Sequence, residues 1–260
     1  MPELSVREAA KAIDSFQLAF LEVAAVRLPI AAFVLKGGAN MRFFFRSSRR
    51  SRDIDFDYRG QRVDTFADRV DEVFNSRALA ELLRERGLQI IDPHRSKQTE
   101  TTRRWKLAVR AAAGEAATKV EFSARGDGSD DYALSQLDPE IARRLGGRPP
   151  RVNRYGPVAM VEQKVGALGR RRETQPRDVF DLDVLFRLYP ASLGEARLKA
   201  TTLRAASERA LELTYDEYVS TVVESLEQDL IDVLGSEGAW NDMVLRVSSE
   251  LDARAAVLER

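Results

Sequence analysis

Apolar residues at the start of the chain recur at the three- and four-residue intervals of an α-helix. Val6 and Phe20 lie on this apolar stripe, which predicts an amphipathic helix that ends near Arg27. Ser5 stands just before the stripe and Glu8 follows it three residues later, in the capping-box pattern that marks a helix N-terminus. We therefore expect a long first helix with one apolar side.

The pattern then changes to the short apolar segments of β-strands. The segment AAFVLKGG, residues 31–38, predicts a buried strand that runs into a tight turn at Gly37 and Gly38. The segment SRDIDFDY, residues 51–58, alternates polar and apolar residues, which predicts a second strand with its acidic residues on one face. Three carboxylates on one face repel one another, so stability alone does not explain them. They are Asp53, Asp55 and Asp57.

Residues between 60 and 157 mix helical and extended patterns. A helix is predicted for residues 64–86, and three strands are predicted from the segments LQIID, RRWKLAVRA and ATKVEFSA. Glycine and proline gather between Gly126 and Pro157, which predicts a loop-rich region with one short helix in the segment DPEIARRL.

From Pro157 onward the period is helical. The pattern predicts a helix over residues 157–171, a second that begins at Pro176, a third from Thr214 to Val233, and a last from about Trp240. The acidic stretch 210–245 carries no recognisable motif, and either the face of a helical bundle or a docking surface for a basic partner would account for it.

These patterns predict an α+β fold, with a mixed sheet and helices over residues 1–150 and a helical half over residues 151–260. The formal net charge of zero gives no whole-molecule attraction to nucleic acid, but ten basic and two acidic residues between 141 and 177 leave room for a local basic face. Cysteine is absent, which excludes disulfides and thiolate metal sites. The single histidine, His94, argues against a histidine zinc site and is expected on the surface. No apolar run approaches the roughly 20 residues of a membrane span, so a cytoplasmic protein is expected.

The paired acids of the second strand suggest metal chemistry. Asp53 and Asp55 are two residues apart, so both carboxylates face the same way. Mg²⁺ prefers oxygen ligands, often one or two carboxylates together with substrate phosphates. Glu121 is the candidate third carboxylate, provided that its strand lies beside that of Asp55. Gly37 and Gly38 would let backbone N–H groups approach a triphosphate.

The order of these motifs resembles a known superfamily. A glycine pair, fourteen further residues, DID and a later VEF resemble the DNA polymerase beta-like nucleotidyltransferases. The segments LKGGANMRFFF, SRDIDFD and MVEQKVGALGRRRETQPRDVFDL resemble the AbiEii-type nucleotidyltransferase toxins of toxin–antitoxin systems. The resemblance spans residues 34–58, 118–123 and 160–182 and leaves the last 70 residues unmatched.

The resemblance implies roles for individual residues. Asp53 and Asp55 would bind metal with Glu121, and Lys164 on the helix after Pro157 would face the nucleotide phosphates. A late aspartate needed for activity would be Asp178, with Asp181 as an equally spaced alternative. The predicted nucleotide-binding residues around the glycine turn and the second strand are Lys36, Gly37, Gly38, Asn40 and Arg52. Many members have Ser or Thr where this chain has Ala39, although the following Asn40 could donate from its amide.

The resemblance also implies cofactors and partners. We expect two Mg²⁺ ions, a nucleoside triphosphate as substrate, an RNA acceptor such as a tRNA 3′ end, and a cognate antitoxin. Residues 1–150 would form the catalytic domain, and residues 151–260 would complete the active site. Two alternatives stay open: a protein hydroxyl or a small molecule such as an aminoglycoside as acceptor, and a regulatory module that keeps the fold without activity.

Three further expectations concern side chains near these motifs. Asp57 is expected at the surface, and at least two of Phe43, Phe44 and Phe45 are expected in the core. Two arginine clusters would suit phosphates when taken together, but each arginine taken singly is expected to be solvated. The clusters are Arg46, Arg49, Arg50 and Arg52, and Arg170, Arg171 and Arg172.

Overall fold

The computed structural model describes residues 5–60, 63–124 and 129–260. The chain divides into two compact units. The first unit comprises Met1–Arg46 and Arg50–Tyr155, and the second comprises Ser47–Arg49 and Gly156–Arg260. The α+β class predicted from the sequence is confirmed, with a mixed sheet near the N-terminus and a helical C-terminal half.

The first unit is built on a seven-stranded sheet in the order β3-β4-β5-β2-β1-β7-β6. The pairs β1–β7 and β2–β5 are parallel, and the other neighbours are antiparallel. The strands are β1 (Phe33–Lys36), β2 (Ile54–Tyr58), β3 (Gln89–Thr99), β4 (Thr102–Ala111), β5 (Gly114–Ser123), β6 (Tyr132–Gln136) and β7 (Arg151–Tyr155). The helices of this unit are α1 (Val6–Arg27), α2 (Gly37–Phe44), α3 (Val63–Phe74), α4 (Arg77–Glu85) and α5 (Pro139–Arg144), with a 3-10 turn at Ile30–Ala32.

An aromatic core fixes one face of this sheet against the helices. The rings of Phe56 on β2 and Phe122 on β5 stack with their centroids 4.7 Å apart, and Phe66 of α3 meets Phe122 edge-on at 4.9 Å. Phe20 of α1 packs 6.2 Å from Phe56. Because side chains alternate along a strand, the residues next to Phe56 and Phe122 in sequence lie on the other face of the sheet. We call that other face, which carries Asp55, Glu121 and Arg104, the polar face.

The second unit is a helical bundle around a second aromatic cluster. Tyr218 stacks on Trp240 with ring centroids 4.6 Å apart, and Phe180 lies 6.5 Å from Tyr218. All three side chains are buried. The helices of this unit are α6 (Pro157–Arg170), α7 (Pro176–Leu188), α8 (Ser192–Glu195), α9 (Ala200–Glu212), α10 (Tyr215–Thr221), α11 (Ile231–Leu234) and α12 (Glu237–Leu258).

Several predicted elements are confirmed. Helix α1 begins at a complete capping box in which Ser5 and Glu8 each bind the other's backbone N–H. Phe43 and Phe45 are buried, as expected. His94 is half exposed, although it lies on β3. Helix α6 begins with Pro157 in its first turn, where a missing N–H costs nothing.

Other predicted elements are wrong in extent. The single helix over residues 64–86 is two helices, because Ser76 caps α4 by accepting from the N–H of Leu79 at 3.2 Å. The region from Gly126 to Pro157 contains strands β6 and β7 in addition to a helix. The turn predicted at Gly37 is instead the start of helix α2.

The long helix predicted from Thr214 to Val233 is also wrong. Helix α10 ends at Thr221, and two 3-10 turns and α11 follow it. Leu226 forms a β-bridge with Arg49, and Glu227 N–H donates to the carbonyl of Ser48. This long-range backbone pairing replaces helical hydrogen bonds, which the local apolar period does not reveal. None of the helices in the described ranges has both the length and the apolar character that a membrane span requires.

Candidate active site

Gly37 joins strand β1 to helix α2 in a conformation that favours glycine. Its φ is +66°, and a Cβ atom built there would lie 3.2 Å from Oδ2 of Asp55. A side chain at this position would therefore be strained in its backbone and crowded against a carboxylate. Helix α2 begins here without a side-chain cap. Its first N–H groups thus have no partner within the helix and are available to an anion.

Strand pairing brings the predicted carboxylates together. Strand β2 runs parallel to β5, and Asp55 is the direct neighbour of Glu121 in this register. Asp53 lies two residues before Asp55 and immediately precedes this strand. The three acidic residues thus lie near the start of β2 and the end of β5, and Gly37 at the start of α2 lies against Asp55.

Asp55 differs from the other two carboxylates in its surroundings. Asp53 forms an ion pair with Lys119 at 3.3 Å, and Glu121 forms one with Arg104 at 2.6 Å. The partly buried carboxylate of Asp55 forms no hydrogen bond or ion pair with any residue that the structure describes. Burial raises the pKa of Asp55, the positive charge of Lys119 opposes this rise, and the negative charges of Asp53 and Glu121 raise the pKa further. A cation would relieve both the burial cost and the repulsion.

The carboxylates of this unit fit a divalent metal by their chemistry. Asp53 and Asp55 supply the oxygen ligands that Mg²⁺ prefers, and the unpartnered Asp55 is the group that gains most from it. Within the described ranges, no three acidic or histidine side chains already converge to hold an ion. The reason is local, since Asp53 and Glu121 are each turned toward a basic neighbour. A bound metal would compete with Lys119 and Arg104 for these two carboxylates.

Asp57 is not at the surface, and the sequence-based expectation for it was wrong. It is buried, it forms an ion pair with Lys36, and it accepts a hydrogen bond from the hydroxyl of Tyr155 at 2.7 Å. The alternation of β2 places Asp57 on the face of Asp55, but β1 and β7 supply partners there that Asp55 lacks. Lys36, predicted to bind nucleotide, is engaged by Asp57 in this structure.

Two other predicted nucleotide-binding residues have different surroundings. Asn40 is buried in α2, and its amide donates to the carbonyl of Tyr155 at 3.0 Å, which favours a structural role. Arg52 is exposed, and its carbonyl accepts a hydrogen bond from the hydroxyl of Thr118 at 2.7 Å. Of these two predicted donors, Arg52 is the one whose side chain is exposed and could reach a ligand.

Lys164 lies in a buried charge cluster of the second unit. Its Nζ is 3.0 Å from Oδ1 of Asp178 and 2.5 Å from Oδ2 of Asp181. The two aspartates are three residues apart on α7, so they lie on the same side of that helix. Arg171 also pairs with Asp178, at 2.8 Å. The two aspartates, which the sequence offered as alternatives, both hold the same lysine.

Arg49 completes this cluster. Its guanidinium binds both carboxylate oxygens of Asp181, at 2.9 and 3.1 Å, and both side chains are buried. Burial raises the pKa of Asp181, but the charges of Arg49 and Lys164 outweigh it and hold that pKa below its ordinary value. Asp181 therefore stays ionised and shared between an arginine and a lysine.

A family model describes both units of the chain. The model for the nucleotidyl transferase AbiEii toxin of type IV toxin–antitoxin systems matches residues 23–260. The chain belongs to this family. The resemblance drawn from the sequence motifs is thus confirmed, and so is the expectation that the protein is a nucleotidyltransferase. The last 70 residues, which the motif resemblance left unmatched, lie inside the matched range.

Solved structures support the fold of this AbiEii-family protein. A candidate nucleotidyltransferase from H. pylori is 18% identical, with a TM-score of 0.54 over 94% of this chain and 91% of the other. JHP933 from Helicobacter pylori is also 18% identical, with a TM-score of 0.56 over 96% and 92% of the two chains. At this identity the likeness shows the fold alone. No curated protein matches the chain significantly.

Sequence reasoning missed several partners of the AbiEii motifs. Arg49 and Arg50 were expected to be solvated when taken singly, but Arg49 binds Asp181 and Arg50 pairs with Asp14 at 3.3 Å. Arg104, which neutralises Glu121, was missed because cross-strand pairing decides it. The one available signal was Asp181 itself, an acid between Phe180 and Leu182 on an apolar helix that requires a buried base.

Proposed function

We propose that the protein transfers a nucleoside monophosphate from a nucleoside triphosphate to a hydroxyl of RNA, with Mg²⁺ as cofactor. The observation that carries this proposal is the position of Asp55, a carboxylate that has no hydrogen-bond or ion-pair partner among the described residues and lies near Asp53 and Glu121. Its contact with the position of Gly37 adds a helix N-terminus beside the acids. Acids for a metal and N–H groups for phosphates are the two needs of this reaction.

Each residue has a role in this proposal. Asp53, Asp55 and Glu121 hold two Mg²⁺ ions. When bound, these ions supply positive charge to the α-phosphate and lower the pKa of the attacking hydroxyl. The N–H groups of Gly37 and Gly38 bind the triphosphate, and the exposed Arg52 is available to its outer phosphates.

A lysine of the second unit has the remaining role in this proposal. We assign Lys164 to contact with nucleotide phosphate, as the family resemblance implies. Asp178 and Asp181 orient it, and Arg49 positions Asp181. A lysine fixed by two buried carboxylates loses little conformational entropy when it binds an anion, so it stabilises charge without reorganisation.

The acceptor oxygen forms a bond to the α-phosphorus, and its proton passes to a neighbouring carboxylate. The bond between the α-phosphorus and the bridging oxygen breaks, and pyrophosphate leaves with the electron pair. Positioning and charge stabilisation supply most of the rate enhancement. The proposed acceptor is an RNA 3′ end, with that of tRNA as the first candidate.

Labelled nucleotides test the proposal. The protein is incubated with each α-labelled nucleoside triphosphate, Mg²⁺, total RNA and total cell protein, and the label is followed in both fractions. We expect label in RNA that is lost in D55N and retained in D92N, since Asp92 is an exposed acid on β3. Label in protein alone would remove the RNA acceptor. Equal labelling by D55N and the wild type would remove the catalytic assignment of Asp55.

A further inference from the structure

The polar face of the sheet carries basic residues in register across three strands beyond the carboxylates. On β4, Arg104 lies directly opposite Glu121, and Lys106 lies opposite Lys119 of β5. On β3, Lys97 lies opposite Arg104. We call Lys97, Arg104, Lys106 and Lys119 the cationic strip. Three of the chain's seven lysines lie in it.

The register of the strip places like charges opposite each other, and an acid among the described residues neutralises only one member of each pair. Lys106 faces Lys119, and Lys97 faces Arg104, so two pairs of like charges lie directly opposite each other on neighbouring strands. Like charges in such positions destabilise a sheet. A polyanion bound along the strip would offset this repulsion, because its charges would attract the cations of both strands.

The strip runs from the carboxylates to the edge of the sheet, and two of its four cations pair with acids. It begins beside Asp55 and Glu121 and ends on β3, the edge strand of the sheet, about 14 Å away at ~4.8 Å per strand. Arg104 and Lys119 are paired with acids. Lys106 and Lys97 are exposed, and neither forms an ion pair with any residue in the described ranges.

We propose that the cationic strip binds the phosphate backbone of the acceptor RNA and leads its reactive end to the carboxylates at Asp55. This inference rests on the proposed function, because it names where that function's acceptor binds. Phosphate contacts position a nucleic acid without reading its sequence, and lysine and arginine are the side chains that supply most such contacts. Lys97 and Lys106 contribute most, since no carboxylate in the described ranges forms an ion pair with them.

The test is RNA binding as a function of salt, without nucleotide or Mg²⁺. The probe is a fluorescein-labelled RNA hairpin with a single-stranded 3′ end, and anisotropy gives its affinity for the full chain. Each lost phosphate contact lowers the slope of log K against log salt by roughly 0.7 to 0.9. For the K97A/K106A double variant we expect a slope reduced by roughly 1.4 to 1.8 and a loss of about 25- to 60-fold at 0.1 M salt.

The matched control removes two other exposed lysines, Lys11 on α1 and Lys199 before α9. We expect K11A/K199A to bind the hairpin within about twofold of the wild type, and both double variants to keep the wild-type melting temperature. An unchanged slope in K97A/K106A, or the same loss in the control, would overturn the inference. The inference would also be overturned if the protein bound fluorescent polyglutamate more tightly than the hairpin, and if only the polyglutamate binding depended on Lys97 and Lys106.

Failure of the proposed function gives a different result. If the wild type binds the hairpin through Lys97 and Lys106 but labels no RNA, the surface stands and the RNA-acceptor assignment fails. If the wild type labels RNA but binds it equally well without both lysines, the assignment stands and the strip is overturned.

Discussion

Arg49 and Asp181 form a buried two-pronged ion pair although 132 residues separate them in the chain. Asp181 also binds Lys164 at 2.5 Å, so one carboxylate holds two cations within the second unit. A buried charge is tolerated where its partners satisfy it and is costly where they are removed. Because Asp181 pairs with both cations, its loss is expected to destabilise the whole cluster.

The D181N substitution is expected to destabilise the protein by about 3–5 kcal/mol, because it leaves Arg49 and Lys164 buried with less compensating charge. Urea unfolding measures the change. The matched control is D252N, which breaks the exposed Arg204–Asp252 pair and should cost less than about 1 kcal/mol. A loss of the same small size in D181N would contradict the structural role of this pair.

The difference between D181N and the wild type should depend on pH. The pKa of Asp181 is lowered in the folded protein from an ordinary value of 3.8, so its carboxylate binds protons more weakly there than in the unfolded chain. The stabilisation is therefore present above the ordinary pKa and is lost as the pH falls through the lowered one. Unfolding measured from pH 7 to pH 3 should show the two proteins converge below about pH 4. A constant difference would exclude Asp181 ionisation as its cause.

The D55N substitution is expected to stabilise the metal-free protein at pH 7 by about 1 kcal/mol, because it removes repulsion from Asp53 and Glu121. Burial raises the pKa of Asp55 above 3.8, so the folded state binds the proton more tightly. Wild-type stability therefore falls as the pH rises through the window above 3.8, and the advantage of D55N grows there. Thermal unfolding at several pH values checks both statements, and a less stable D55N at pH 7 would contradict them.

Mg²⁺ should make the wild type more stable than D55N. A ligand at ten times its dissociation constant stabilises the folded state by about 1.4 kcal/mol. We expect Mg²⁺ to raise the melting temperature of the wild type and of D92N but not that of D55N. An equal rise in all three proteins would mean that the ion binds away from Asp55.

The G37A substitution should cost about 1–2 kcal/mol and lower nucleotidyl transfer, because φ is +66° and the new methyl would press on Asp55. Gly238 offers the opposite case. It lies in the first turn of α12 with nothing within 4 Å of an added Cβ, so G238A should be neutral or stabilising by up to about 1 kcal/mol. Melting temperatures and transfer rates of the two variants test this contrast, and equal effects would argue against a special role for the Gly37 backbone.

The sequence predicted the placement of the carboxylates where local alternation determines it. The two-residue period of β2 was enough to place Asp53 and Asp55 together, and the apolar neighbours of Glu121 identified its strand. The same period could not separate Asp57 from Asp55, since both lie on one face. The difference arises because Lys36 and Tyr155, on β1 and β7, contact Asp57, whereas Asp55 pairs with none of the residues that the structure describes.

Longer-range features could not be predicted from one sequence. The end of α10 at Thr221 depends on the bridge between Leu226 and Arg49, and the local apolar period continues through it. The neutralisation of Glu121 by Arg104 depends on the register between β4 and β5. Both are pairings of distant segments, which packing of the whole unit decides.

Lys36 allows its structural and nucleotide-binding roles to be separated. K36M leaves Asp57 buried with the Tyr155 hydroxyl as a remaining partner, so we expect a loss of about 3 kcal/mol or more. Adding D57N removes the buried charge, and the K36M/D57N double variant should recover most of that stability.

If Lys36 only neutralises Asp57, transfer activity recovers together with the melting temperature. If Lys36 also binds the triphosphate, the double variant melts like the wild type but keeps a raised KM for nucleotide. Unfolding and nucleotide titrations on the single and double variants distinguish the two, and an unstable double variant would contradict the pairing itself.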